Sequence, residues 1–409
     1  MYRRKRKPRL APIGYLIPQF PQQNHALHWQ EIETLRQMGL RVELFSTRRP
    51  RANRCSHAFR DEAVRRTTYL WPPAWLVALR WMLQHPRGLL RSLGLLMEIS
   101  RSPRDLVRGI GLLFAGATLA AHVCQRKLKH VHIHSCDTAA LVGAFCNRLS
   151  GVSYSLMLEH PLRLYGPYQR QKWRDAQFAI LVTQKLLPEV REVLAGAEPP
   201  LIAVGAVGID INLFQRWDVY QPWRGKGQVR VFSCGRLGSE HEEEDLIRAI
   251  AQLRSEGLPV RLRLAREDFA SPSTATRRAL EKLIAELHLT GAVQLLGNLS
   301  EDQIRDELEQ AHVFALPSQV ESCDLAVLEA MAMQVPVVAA NGQGIAELIE
   351  PGRSGLLVPP SHVTALAATI RHILYNPILA QRMAQAGEAR IHERVFSTAT
   401  ARTLISCIY

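Results

Sequence analysis

The sequence predicts an α/β protein made of two doubly wound parallel sheets, and three observations support this fold class. Short apolar runs, as expected for buried strands, alternate with segments of helical periodicity along most of the chain. A polar, glycine-containing stretch, residues 215–228, interrupts the alternation once and is typical of a linker. A chain of 409 residues is long enough for two domains. We therefore expect two such domains, facing each other across a deep cleft.

The first half supplies the elements expected of an N-terminal domain, residues 1–214. Residues 10–17 predict its first strand, and the helix 25–38 that follows ends at Gly39. Further strands are expected at 41–45, 130–134, 153–158 and 178–182, and further helices at 138–149 and 186–194.

The same alternation resumes after the linker and predicts a second domain, residues 215–375. Ligands of such sheets bind at the carboxyl ends of the strands, near the point where the strand order reverses. Strands are expected at 229–233, 260–264, 293–296, 313–316 and 335–339, and helices at 243–256, 274–287, 301–309 and 325–333.

Charge is divided unequally between the two halves. Residues 1–200 hold 31 Lys and Arg against 13 Asp and Glu, a net charge of +18, whereas residues 201–409 hold 20 against 24, a net charge of −4. A basic half suits a polyanion, an anionic membrane surface or a phosphorylated substrate, although it also fits a merely solvated surface. Binding to nucleic acid rests on charge alone, because no recognised motif supports it, and we do not expect it.

Residues 71–101 mix Trp, Leu and Arg at helical spacing. This pattern fits basic helices lying in a membrane interface, and equally two ordinary surface helices of the first domain. The apolar run 109–124 is too short and too interrupted to predict a membrane span, which needs roughly 20 residues.

Cysteine usage and the first residues favour the cytoplasm. The seven cysteines form an odd set without a Cys-x-x-Cys pair, which argues for a reducing compartment. The basic residues 2–9 are not followed by an apolar core of the length that a secretory signal has.

Two carboxylates, Glu321 and Glu329, flank the start of the predicted helix 325–333. Carboxylates accept hydrogen bonds, so such a pair can hold the hydroxyls of a sugar and of a ribose. The spacing alone is uninformative, but it lies within a longer string: Ala-Leu-Pro-Ser before the first Glu, Leu-Glu-Ala-Met-Ala around the second, then Pro-Val-Val-Ala and Glu-Leu-Ile-Glu-Pro-Gly-Arg-Ser-Gly-Leu-Leu-Val-Pro-Pro.

With this string, residues 314–360, the chain resembles the family-4 retaining glycosyltransferases, the group 1 superfamily of GT-B fold, and within it the exopolysaccharide and colanic-acid branch. The resemblance extends over nearly the whole chain and implies two Rossmann-like domains, with residues 376–409 forming helices that cross back to the first. It also implies that Glu329 binds the ribose of the nucleotide and that Glu321 lies against the donor sugar. Leu325, at the start of the same helix, is placed with the donor-binding residues.

Of three positions near the donor diphosphate, one matches the family pattern and two differ from it. Arg236, in Ser-Cys-Gly-Arg-Leu, matches a family arginine that neutralises the diphosphate. His241 stands where the family has Lys, and it is a weaker clamp. Ala-Arg-Glu-Asp at 265–268 replaces a Gly-rich turn. There Arg266 supplies the missing cation or, on the opposite interpretation, the phosphate site is lost.

In the first domain, residues 155–169 resemble a family loop with His-Gly-Pro, whose His contacts the donor sugar. Glu159 takes the His position and His160 the Gly position, so either His160 acts after a shift of one residue or the chemistry has changed. The resemblance also places Gly14 and the loop 18–25, near the first strand, where donor and acceptor approach the backbone.

His130, His132 and His134 alternate along one predicted strand and are followed by Cys136. Alternation puts the three rings on one face, but the set has no carboxylate and no ligand spacing of a known metal site. We interpret it as sheet surface or cleft lining and expect no metal.

The resemblance and the charge distribution together predict a cytoplasmic glycosyltransferase bound peripherally to the inner face of the cytoplasmic membrane. It would transfer a sugar, with retention, from a UDP- or GDP-linked donor to a lipid-linked oligosaccharide or polysaccharide, without cofactor or metal. The alternative, motivated by Glu159, His241 and the missing glycines, is a catalytically degenerate GT-B protein acting as a partner or regulatory subunit.

Overall fold

A computed structural model describes residues 11–22, 25–50, 59–205, 209, 211, 213–235, 240–266, 275–297, 299–317, 325–342, 345–394 and 398–409. The chain divides into two compact units. Unit 1 comprises Met1–Ala206 with Ser397–Tyr409, and unit 2 comprises Val207–Phe396. Each unit contains one parallel sheet flanked by helices, which confirms the predicted α/β class.

The sheet of unit 1 has seven parallel strands in the order β3-β2-β1-β4-β5-β6-β7. Because β1 lies between β2 and β4, the strand order reverses at the β1–β4 pair. All five residues of β1 are buried, as expected for a strand covered on both faces. The strands are β1 (Ile13–Ile17), β2 (Val42–Ser46), β3 (Thr67–Tyr69), β4 (His130–Ile133), β5 (Ser153–Leu158), β6 (Phe178–Leu181) and β7 (Leu201–Val204).

The described part of unit 1 has eight α-helices before the second unit, of which α2, α5 and α7 were not predicted. They are α1 (Ala26–Gln37), α2 (Arg60–Arg66), α3 (Trp75–Gln84), α4 (Pro86–Ile99), α5 (Pro103–Gln125), α6 (Thr138–Ser150), α7 (Gln169–Trp173) and α8 (Leu187–Leu194).

Among the described residues, α5 is the one helix whose length and composition would allow it to cross a bilayer. Much of it nevertheless lies in the core of unit 1, packed against α6. A Cβ atom added at Gly116 would lie 2.5 Å from the Cβ of Phe145 and 3.1 Å from the carbonyl oxygen of Val142. This close approach and the burial of over half of its apolar stretch are typical of a core helix in a globular unit.

The sheet of unit 2 has six parallel strands in the order β10-β9-β8-β11-β12-β13, and its order reverses at the β8–β11 pair. Successive residues along these two strands face opposite sides of the sheet, with Val231 and Val313 in one core cluster and Phe232 and Phe314 in the other. The strands are β8 (Val229–Cys234), β9 (Val260–Ala265), β10 (Val293–Leu296), β11 (Val313–Leu316), β12 (Val337–Ala340) and β13 (Leu356–Val358).

The helices of unit 2 begin after β8 and continue almost to the end of the chain. They are α9 (Glu240–Ser255), α10 (Ala275–Glu286), α11 (Glu301–Gln310), α12 (Leu325–Ala332), α13 (Ile345–Leu348), α14 (Val363–Leu374) and α15 (Pro377–Arg394). The segment predicted as 376–409 is divided, because α15 belongs to unit 2 and the last helix, α16 (Thr398–Ile408), to unit 1.

The polar stretch 215–228 is part of unit 2, so its interpretation as a linker is wrong. Arg216 donates hydrogen bonds to the carbonyls of Leu308 and Glu309 in the last turn of α11. The hydroxyl of Tyr220 donates to the carbonyl of His312 at 2.7 Å, and the ring of Trp223 is buried in the core. Arg216, Tyr220 and Trp223 thus pack this stretch against unit 2. The polar, glycine-containing composition of the stretch does not indicate this packing.

Candidate functional site

In unit 1, polar side chains gather at the carboxyl edge of the sheet, where the strand order reverses. His28 and Glu31 lie on α1, the helix that follows β1. His134 follows β4, and Glu159 follows β5, the next strand of the sheet. Parallel sheets bind ligands at this edge, because neighbouring loops leave a crevice between them at the reversal.

These side chains form a compact cluster around His134. The rings of His28 and His134 are 4.0 Å apart between centroids. Nε2 of His134 lies 3.5 Å from Oε2 of Glu31, and Nδ1 of the same ring lies 4.0 Å from Oε1 of Glu159. Oε2 of Glu31 also accepts a 2.7 Å hydrogen bond from the hydroxyl of Tyr15. His134 is thus held between two carboxylates that come from different parts of the chain.

The pKa values of the neighbouring imidazoles His132 and His134 are shifted in opposite directions. Burial works to lower the pKa of His134, but the charges of Glu159 and Glu31 outweigh it and hold that pKa above its usual value. Burial, assisted by His134, lowers the pKa of His132 well below its usual value. Burial also raises the pKa of Tyr15, with a further contribution from Glu31. His134 is therefore the imidazole of this edge that is best suited to carry a proton.

His130 and His132 are internal to the sheet. The Oγ of Ser155 lies 2.7 Å from Nε2 of His130 and 2.8 Å from Nδ1 of His132. Burial lowers the pKa of His130 to about 4. Burial also raises the pKa of the Cys136 thiol, whose Sγ donates to a main-chain carbonyl, so it is a poor metal ligand. His130, His132 and His134 are buried, so of the two interpretations sheet surface is wrong, and cleft lining stays a prediction.

Two predicted residues lie apart from this cluster. His160 is half-buried, and its ring stacks on that of Tyr165 at 6.5 Å. Gly14 lies inside β1 rather than after it, which corrects its predicted place at a loop. A Cβ atom there would be 3.2 Å from the ring of Phe45 and 3.4 Å from Val131, so close packing explains the glycine.

A cavity of about 330 Å³ lies in unit 1 between α5, the start of α6 and the loop 164–168. Arg108, Asp137 and Lys172 contribute charged groups to its wall. Lys172 is buried, its Nζ donates to the carbonyls of Cys136 and Tyr165 at 2.9 Å each, and burial lowers its pKa to about 8. Neither Lys172 nor His28 was predicted from the sequence, because neither lies in a recognisable motif.

In unit 2, Glu329 is buried in the middle of α12, and Leu325 is the first residue of that helix. The helix follows β11, one of the two strands at the reversal. The structure thus places this carboxylate next to the edge at which a doubly wound sheet binds its ligand.

Arg266 follows β9 and forms an ion pair with Glu243 of α9, 2.5 Å between Nη1 and Oε1. Both side chains are almost fully buried. Burial raises the pKa of Glu243 despite the opposing effect of Arg266. The guanidinium proposed to serve the diphosphate is thus already engaged by a carboxylate.

Three predicted site residues fall outside what the structure describes: Glu321, Arg236 and the side chain of His241. The described residues that precede the first two, Pro317 and Gly235, stand at the ends of β11 and β8, which are adjacent in the sheet. The roles assigned to these residues stay predictions.

Comparison with known proteins connects this geometry to a family. Residues 221–390 match the family model of the group 1 glycosyl transferases. The chain is 29% identical over 212 residues to a protein of Salmonella typhimurium named as a colanic acid biosynthesis glycosyltransferase, WcaL, covering 50% of each chain. It is 31% identical over 179 residues to alpha-D-kanosaminyltransferase of Streptomyces kanamyceticus, covering 44% of this chain and 45% of that one.

Among solved structures, HepE of Anabaena in complex with UDP superposes with a TM-score of 0.72 at 18% identity, covering 97% of this chain and 99% of that one. A glycosyltransferase of Rickettsia africae gives a TM-score of 0.72 at 14% identity, covering 97% of each chain. The chain spans about half the length of the curated relatives it matches. Residues 221–390 thus match the predicted group 1 family, and the solved structures confirm the predicted fold of two doubly wound parallel sheets.

Proposed function

We propose that the chain is a glycosyltransferase that moves a sugar from a UDP- or GDP-linked donor to a lipid-linked oligosaccharide or polysaccharide, in the biosynthesis of an exopolysaccharide or cell-surface glycan. In this proposal the anomeric configuration is retained, and the transfer needs no cofactor and no metal. The single observation that carries it is the match of residues 221–390 to the group 1 glycosyl transferases.

The donor is assigned to unit 2. Glu329 is a buried carboxylate beside the reversal of the sheet, and a carboxylate can accept hydrogen bonds from both hydroxyls of a ribose. Its position on a helix packed into the core fixes its orientation, which supports binding of a rigid diol.

The acceptor is assigned to unit 1, which carries the basic excess of the chain. The cavity beside α5 presents Arg108 and Lys172, and cations of this kind neutralise the phosphates of a lipid-linked substrate. Its wall also includes apolar residues such as Ile99 and Leu112, which suit the first part of a lipid chain.

The same unit offers a surface for an anionic membrane. The helices α3, α4 and α5 pack against one another and expose apolar side chains, with Leu76 84% and Val107 70% exposed. We call the exposed apolar and arginine side chains of these three helices the basic-apolar surface. Its apolar members include Leu76, Leu83, Leu90, Met97, Leu106 and Val107. Its arginines include Arg80, Arg87, Arg91, Arg104 and Arg108.

Apolar side chains insert into the headgroup region of a bilayer, and neighbouring cationic side chains are attracted to anionic lipids. The surface therefore supports a peripheral location on the inner face of the cytoplasmic membrane, and it extends the predicted 71–101 region into α5.

A second candidate, a catalytically degenerate partner protein, is favoured by one observation. Arg266 replaces a Gly-rich turn and is neutralised by Glu243 rather than left for a phosphate. On this alternative the GT-B fold is kept for binding another protein, and no nucleotide is bound.

Isothermal titration with UDP and with GDP separates the two candidates. The transferase binds one of them saturably, and Glu329→Gln weakens that binding by about 10- to 100-fold through lost hydrogen bonds to the ribose. The matched control is Glu286→Gln on α10, whose carboxylate is exposed, and it leaves the affinity unchanged. Absence of heat with both nucleotides favours the partner protein.

Sedimentation with lipid vesicles tests the membrane proposal. The protein should bind vesicles that contain anionic phospholipid and not purely zwitterionic ones. Leu83→Glu should reduce the binding by about 10-fold or more, since it places a carboxylate on the basic-apolar surface. Val219→Glu, at an exposed position of unit 2, is the control. Equal loss in both variants, or equal binding to both vesicle types, contradicts the proposal.

A further inference from the structure

The cluster at the carboxyl edge of unit 1 has the composition of a metal site. Among the described residues, His28, His134 and Glu159 are the one group of three whose ligand atoms all lie within 4.8 Å of one another. They come from three separate segments, α1, the end of β4 and the end of β5. Two imidazoles and one carboxylate are a ligand set that Zn²⁺ takes in proteins, usually with water in the fourth position.

We propose that unit 1 binds one Zn²⁺ ion through Nδ1 of His134, an imidazole nitrogen of His28 and the carboxylate of Glu159. The proposal does not depend on the function proposed above, because it concerns an ion held within unit 1 and not one on the donor diphosphate.

The orientation of His134 is the strongest argument. Its Nδ1 is buried and makes no hydrogen bond to the described residues, although it faces Glu159 at 4.0 Å. Its Nε2 faces Glu31 at 3.5 Å. One ring nitrogen thus faces the carboxylate of Glu159 while the opposite nitrogen faces that of Glu31, and the ring of His28 lies 4.0 Å away between centroids.

Glu31 completes an arrangement common around zinc. A metal-bound imidazole usually donates its other N–H to a carboxylate, which fixes the ring and raises its basicity. Glu31 stands in that position for His134 and is itself fixed by the hydroxyl of Tyr15 at 2.7 Å. The carboxylate that orients His134 therefore distinguishes this cluster from a chance grouping of three polar residues.

The distances allow closure around an ion. Zinc lies about 2.1 Å from nitrogen and oxygen ligands, so tetrahedral ligands are about 3.4 Å apart. Separations of up to 4.8 Å need side-chain movements of about 1 Å, and the partly exposed Glu159, at 31% of its side chain, has room to move. The absence of an oxygen-rich ligand set argues against Mg²⁺ and Ca²⁺, which prefer several oxygen ligands.

Zinc affinity, measured on full-length protein freed of metal by EDTA and titrated against a chromogenic chelator, tests the site. The wild type should bind one equivalent. His28→Gln, His134→Gln and Glu159→Gln should each lower the affinity by about 100-fold or more, and Glu31→Gln by about 10- to 100-fold as a supporting residue. His160→Gln is the matched control next to Glu159 and should bind zinc as the wild type does.

Folding and ligand identity are checked separately. Glu159→Gln changes a partly exposed side chain, so its far-ultraviolet circular dichroism should match the wild type even if a histidine variant fails to fold. Co²⁺ in place of zinc should show tetrahedral d–d absorption without thiolate bands. Wild-type protein that binds no zinc, an equal loss in His160→Gln, or cobalt–thiolate bands overturns the proposal.

Discussion

The two units share a topology but bury different kinds of polar group. In the described part of unit 1, most buried polar residues carry imidazole or hydroxyl groups, as in His130 and Ser155, with few charged groups such as Glu31 and Lys172. In the described part of unit 2, carboxylates such as Glu243 are buried, and the guanidinium side chains of Arg216 and Arg266 are almost fully buried. The same sheet topology therefore accommodates imidazoles, which can gain a proton in acid, and guanidinium groups, which stay charged. We expect acid to destabilise unit 1 through its imidazoles, and loss of a guanidinium group to destabilise unit 2.

Removal of Arg216 should produce the largest effect and would show how far unit 2 depends on a permanent charge. Its side chain is almost fully buried and donates to three main-chain carbonyls, of Leu308, Glu309 and Met333. Arg216→Ala leaves these acceptors unsatisfied and should lower the free energy of unfolding by about 3–5 kcal/mol in urea denaturation.

Arg224→Ala, at an exposed position of the same stretch, is the control and should change stability by less than about 0.5 kcal/mol. A similar small change in Arg216→Ala would show that the carbonyls find water instead, and that the charge is dispensable.

Acid should affect unit 1 through its histidines. Burial lowers the pKa of His130 to about 4, against an ordinary value of 6.5, so the folded state keeps this ring neutral while the unfolded state takes up a proton. Its contribution is fully present above pH 6.5 and is lost as the pH falls toward 4, by about 3 kcal/mol in total.

His130→Gln should flatten the fall in stability between pH 7 and pH 4, measured by urea denaturation at several pH values. In unit 2, His312 also has a pKa lowered by burial to about 4, but it is less buried and should matter less. Equal pH dependence in wild type and His130→Gln would remove the proposed difference between the units.

Glu243→Gln tests the buried ion pair with Arg266. The change leaves the buried Arg266 without its counter-charge and should cost about 2 kcal/mol of stability, since a hydrogen bond between two charged groups becomes one between a charged and a neutral group. The adjacent Glu244→Gln, whose carboxylate is partly exposed, should cost less than about 0.5 kcal/mol. Thermal unfolding of the two variants side by side measures the difference.

The smallest expected effect concerns a neutral feature of unit 2. Ser300 caps α11: its hydroxyl accepts from the main-chain N–H of Gln303, whose side chain accepts from the N–H of Ser300. Ser300→Ala should cost about 1 kcal/mol, and Ser300→Asp should restore most of it. A loss comparable with that in Arg216→Ala would contradict the view that unit 2 rests mainly on its charged groups.

Much of the fold could be predicted from the sequence because strands buried on both faces are continuous apolar runs. The predicted strands at 130–134 and 293–296 correspond to β4 and β10 within one residue. Short elements were missed: β7 is an apolar run of only four residues, and periodicity alone does not identify so short a run as a strand.

The sequence indicates the candidate site residues to different extents. Glu329 was predicted because it lies in a motif whose neighbours are local in sequence, and its role stays a prediction. His28 was not, since its proximity to His134 depends on how α1 returns across the end of the sheet, which periodicity does not specify. The packing of the Trp223 ring in the core could not be predicted either, because the residues around it are polar.

The last helix belongs to the first unit, and this affects how the chain folds during synthesis. α16 packs against α1, and the hydroxyl of Tyr409 donates to the carbonyl of Ala11. A ribosome releases all of residues 207–396 before this helix emerges. The second half of the protein can therefore fold first, while the N-terminal half waits for its final helix and, until then, presents the α1 surface to chaperones.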